Sequence, residues 1–63
     1  MTLAERILNY RANHHLTQKQ MASILGESAM MIYRIECGRY RTHKVNEVRI
    51  FNKLNELEAK ENV

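Results

Sequence analysis

The chain has 63 residues with no proline, two glycines and one cysteine, so a single domain is expected, near the lower limit for an uncrosslinked core and open to help from a second copy. Cys37 alone supports neither a disulfide framework nor a four-ligand zinc site, and the longest unbroken apolar run, residues 29–33, is far too short to cross a membrane. Residues 1–44 carry seven basic side chains against three carboxylates and residues 45–63 three against four, so the basic excess that a polyanion would attract lies in the first two-thirds.

Thr2-Leu3-Ala4-Glu5 reads as a capping box, in which the Thr2 hydroxyl accepts from the Glu5 amide while Glu5 reaches back. It predicts a first helix to about Asn13, with Leu3, Ile7 and Leu8 as its apolar stripe and Tyr10 or Arg11 beside it. With a helix opening at residue 2, no arm reaching around a duplex is expected. No basic stretch followed by an apolar run stands at the start, so no targeting segment is expected and a reducing cytoplasm fits best.

Thr17-Gln18-Lys19-Gln20 repeats the box after the His14-His15-Leu16 connection, opening a second helix that buries Met21, Ala22, Ile24 and Leu25. Gly26 stops it, because a left-handed cap costs glycine no steric penalty. Ser28 then caps a third helix, residues 29–37, which Gly38 ends in the same way. Two short helices across so brief a turn must cross at a large angle, the helix-turn-helix geometry.

Arg39-Tyr40-Arg41-Thr42-His43-Lys44 reads as a basic loop with an aromatic inside it. A fourth helix is expected over about residues 43–60, with a frayed end at Glu61-Asn62-Val63. Its apolar residues Val45, Val48, Ile50, Phe51, Leu54 and Leu57 cover about half the circumference, more than one small core needs. Val48 and Phe51 are expected inside. Ile50, Leu54 and Leu57, spaced i, i+4, i+7, are expected to face a second copy as the dimer interface.

Leu16-Thr17-Gln18, Ala22, Leu25-Gly26, Ser28, Ile32 and Glu36-Cys37-Gly38 together resemble the Cro/Xre-type helix-turn-helix family, which includes the lambdoid phage repressors. The match is close over residues 17–38 and looser over the first helix. The resemblance implies an all-α, compact, lambda-repressor-like domain spanning residues 1–63, with Met21, Leu25, Ile32 and Ile35 as buried rungs. It also implies an ion pair between Arg11 and Glu36, holding the first helix onto the third.

By the same resemblance the third helix enters the major groove and reads bases through Ala29, Met30, Tyr33 and Arg34. Arg34 can donate two parallel bonds to guanine O6 and N7. Phosphates would be met by Gln18, Lys19 and Ser28 at helix starts, where the dipole favours anions, and by Arg39, Tyr40, Arg41 and Lys44 from the loop. Family members often carry a hydrogen-bonding residue early in the third helix, where this chain has Ala29, Met30 and Met31, so readout there is expected to be apolar or through DNA shape. The proline common after the loop is absent, and His43 stands near its place.

The expected function is a Cro-like transcriptional regulator that binds double-stranded DNA at a near-palindromic operator as a homodimer. The alternative is a protein-interaction module such as an antitoxin or antirepressor, which the Met30-Met31 pair and the apolar fourth helix would serve. No nucleophile-base pair, carboxylate pair or phosphate-cradling loop is present, so no enzymatic activity, cofactor or small-molecule ligand is expected. Adjacent His14 and His15 with His43 make no preorganised metal site, and Cys37 is expected to be an inert, partly buried thiol.

Overall fold

The first three helix starts in this chain fall where a short hydroxyl side chain takes over an unpaired amide. The computed structural model describes residues 2–38 and 43–61, and within them four helices and no strand: α1 (Leu3–His14), α2 (Gln18–Leu25), α3 (Ala29–Cys37) and α4 (Lys44–Glu61). The Thr2–Glu5 and Thr17–Gln20 boxes both close in full. The Thr2 hydrogen bonds hold the Glu5 carboxyl below its usual range. Met31 N–H donates to Ser28 Oγ at 3.1 Å, so the cap of α3 also forms as its sequence predicts.

Left-handed residues end the first three helices. Gly26 (φ 71°) and Gly38 (φ 69°) take this conformation without strain, while His15 (φ 55°) takes it with a side chain attached. Its amide closes α1 by donating to the Arg11 carbonyl.

The core gathers one stripe from each helix: Leu3, Ile7 and Tyr10 from α1, Met21, Ala22 and Leu25 from α2, Ile32 and Ile35 from α3, and Ile50 and Leu54 from α4. Leu16, Met31, Phe51 and Leu57 pack against its edge. Each fully buried Ile, Leu or Met contributes about 1.5 to 3 kcal/mol against leaving it in water, which is how so small a globule coheres. Two expected core positions lie outside it, Leu8 and Ile24 being 43% and 36% exposed. Tyr10, not Leu8, completes the buried stripe of α1 with Leu3 and Ile7.

The rotation of α4 differs from the expected one. Ile50 and Leu54 are 1% and 0% exposed inside a single chain, and Leu57 packs against the same core. These three therefore do not form a face open to a second copy. Val48, expected inside, is 48% exposed, and Phe51 is half-buried. The apolar arc of α4 is wide enough for either rotation, and the i, i+4, i+7 stripe with its longer side chains fills the gap against the other helices. Glu61 also belongs to α4 instead of a frayed end, because the Tyr10 hydroxyl donates to its carboxylate at 2.9 Å and His14 Nε2 lies 2.9 Å away. Asn62 and Val63 lie outside the described residues.

Candidate nucleic-acid interface

Alternate burial divides α3 into two faces. Ile32 and Ile35 point into the core, while Ala29, Met30, Tyr33 and Arg34 are exposed, Met30 and Tyr33 by 57% and 51%. The four side chains named for base readout thus share one outward surface. Cys37, one turn beyond Tyr33, is exposed where a partly buried thiol was expected. Hydrogen bonding with that thiol raises the Tyr33 phenol above its ordinary pKa.

A three-part hydrogen-bonded cluster fixes the far end of α3. Arg11 Nη1 donates to both Glu36 carboxylate oxygens at 2.6 and 2.7 Å, and Arg11 Nε donates to the Leu16 carbonyl at 3.1 Å. Gln18 Nε2 donates to the same Glu36 carboxylate at 2.8 Å. The Glu36 side chain is only 7% exposed; its carboxylate ties α1 and the start of α2 to α3, and Arg11 extends the cluster to the α1–α2 connection. The Arg11–Glu36 pair expected from the resemblance is in place. Gln18, named for a phosphate, instead has its side-chain amide engaged by Glu36, leaving its backbone N–H as the group that can meet an anion.

The near end of α3 is fixed separately. Glu27, in the turn before Ser28, has a carboxylate only 7% exposed, to which Arg49 Nη2 donates at 3.0 Å while also donating to Asn46 at 3.3 Å. Nothing at short range in the sequence points to this pair, since the partners are 22 residues apart. The same holds for Arg6, which donates to Asn55 and Glu58 and lies 5.3 Å from the Phe51 ring centre, and for the Tyr10–His14–Glu61 cluster.

These pairs sort the positive charge. Arg6, Arg11 and Arg49 are engaged with carboxylates of the chain itself. Lys19 in the first turn of α2 and Lys44 at the start of α4 are exposed and make no ion pair among the described residues. Lys19 stands beside backbone amides that the α2 dipole makes attractive to an anion. Ser28 caps α3 in the same setting. Arg39, Tyr40 and Arg41, named for phosphates, lie outside the described residues. Among the described residues no three His, Cys, Asp or Glu side chains converge as a metal site, and no helix is long and apolar enough to cross a membrane.

Comparison with known proteins finds no matching family model, curated protein or solved structure.

Proposed function

We propose that the chain is a sequence-specific DNA-binding transcriptional regulator, a Cro-like repressor whose α2 and α3 act as a helix-turn-helix. The observation that carries this reading is the construction of α3. It is anchored at one end through Glu36, at the other through the Glu27 turn, and buried along Ile32 and Ile35, yet presents Ala29, Met30, Tyr33 and Arg34 to solvent. A rigidly held helix with an outward arginine suits the major groove, where guanine takes a bidentate guanidinium and a thymine methyl takes an apolar contact. Lys19, the first amides of α2 and the basic segment at residues 39–44 would meet phosphates and set register. The resemblance to the Cro/Xre-type family over residues 17–38 supports the same reading, with a homodimer on a near-palindromic operator in the cytoplasm.

The exposed Met30, Val45 and Val48 favour a second reading, a protein-interaction module. Arg34→Ala separates the two. On the first reading the variant loses about 1 to 3 kcal/mol of discrimination between operator and mismatched DNA in a fluorescence-anisotropy titration. Undiminished discrimination with undiminished affinity rejects the base-reading role.

A further inference from the structure

Glu27 stands between the glycine that ends α2 and the serine that caps α3, and short-range bonds shape the turn around it. Its amide donates to the Ala22 carbonyl at 2.8 Å, Gly26 N–H donates to the Ser23 carbonyl at 3.3 Å, and Ser28 Oγ accepts from the Met31 amide. None of these bonds reaches outside α2 and α3. The Glu27 side chain does, because Arg49 Nη2 of α4 donates to its carboxylate at 3.0 Å.

A carboxylate in a turn between helices ordinarily stays in water, yet the Glu27 side chain is 7% exposed. A charge drawn out of water needs a cation held in place beside it. Arg49 supplies that cation, and Asn46, three residues earlier on α4, accepts from the same Nη2 at 3.3 Å and restrains the guanidinium. Lys53, one turn further along α4, lies 4.0 Å from Glu56 instead. The Arg49 side chain is itself 57% exposed, so the pair sets a solvated cation against a shielded anion.

The position of α3 follows from this turn, since Ser28 comes directly after Glu27 and begins the helix. Base readout is sensitive to such placement: a recognition constellation must be held within about 0.5 Å of its productive geometry. We propose that Arg49 is a specificity-determining positioning residue. By holding the Glu27 carboxylate, it fixes the turn from which α3 starts, and with it the placement of Ala29, Met30 and Arg34 against the bases. This role rests on the base reading by α3 proposed above.

Fluorescence-anisotropy titrations of the full chain, using its preferred duplex and a random duplex, test the role with Arg49→Met, Glu27→Gln and the double variant. Each single change should lower the ratio of preferred to random affinity by about twofold to thirtyfold. The double variant should lose no more than the larger single loss, because both changes break one contact. The salt dependence should stay that of the wild type. Should Arg49→Met alone unfold, the double variant carries the test, since it leaves no stranded charge. An undiminished ratio in all three variants overturns the proposal. So does an Arg49→Met variant that weakens both duplexes alike and lowers the salt slope by about 1 while Glu27→Gln does not, since Arg49 would then touch a phosphate directly. Amide hydrogen exchange without DNA separates this role from the reading beneath it: the Glu27 and Met31 amides should exchange faster in the variants relative to those of α1. Faster exchange there in a chain with no preferred duplex rejects base reading and confines Arg49 to shaping the turn, whereas a preferred duplex with unchanged exchange and discrimination rejects the Arg49 role alone.

Discussion

Replacing Arg11 by methionine should destabilise the chain by about 2 to 4 kcal/mol, more than the Arg11–Glu36 pair contributes net. The magnitude follows from what remains behind. Arg11 supplies two charge-assisted bonds to a carboxylate that is 7% exposed and a third bond to the Leu16 carbonyl, and without it Glu36 keeps only Gln18. Breaking a buried pair costs about 3 to 5 kcal/mol, and the 23% exposure of Arg11 lets water recover part of that. At about 0.05 to 0.15 kcal/mol per residue the whole domain has only about 3 to 9 kcal/mol of stability, so the variant should sit near its unfolding threshold. Urea unfolding at neutral pH, followed by circular dichroism, gives the difference directly. The double variant Arg11→Met/Glu36→Met should be more stable than Arg11→Met alone, because it removes the stranded carboxylate. A double variant as unstable as the sum of the two single changes would refute the reasoning, since the two side chains would then act independently.

His15 holds a left-handed conformation that costs a side-chain-bearing residue about 1 kcal/mol over glycine, so His15→Gly should raise the urea midpoint, and a lowered one would show that the imidazole does more than cap α1. Tyr10 is raised above its ordinary pKa by burial first, then by its bond to Glu61 and the charges of Glu61 and Glu58. A raised folded value means that its contribution is complete below about pH 10 and is lost as pH climbs through the folded pKa. Tyr10→Phe should therefore cost about 1 kcal/mol at neutral pH and flatten the alkaline loss of stability. An unchanged alkaline slope in thermal melts would remove Tyr10 as its source.

Local chemistry made three helix starts legible. Thr2, Thr17 and Ser28 each cap the helix they were expected to cap, and Gly26 and Gly38 stop theirs. The outward set of α3 was legible because Ile32 and Ile35 leave one rotation of a short helix. For α4 the apolar arc was too broad to fix a rotation, and the choice fell to packing against residues distant in the chain. Pairs such as Glu27–Arg49 and Tyr10–Glu61 were invisible for the same reason, since long-range partners carry no spacing signal. Gln18 looked like a phosphate ligand from its helix-start position, but Glu36, a part-buried acceptor from another helix, takes its side chain.

We propose that α3 reads DNA sequence. Titrating the full chain against random and genomic duplex fragments at several salt concentrations tests it most directly. A DNA-reading α3 should give a steep loss of affinity with salt, from phosphate contacts, together with one preferred site bound at least about a thousandfold more tightly than random DNA. Equal, weak binding to every fragment would contradict it.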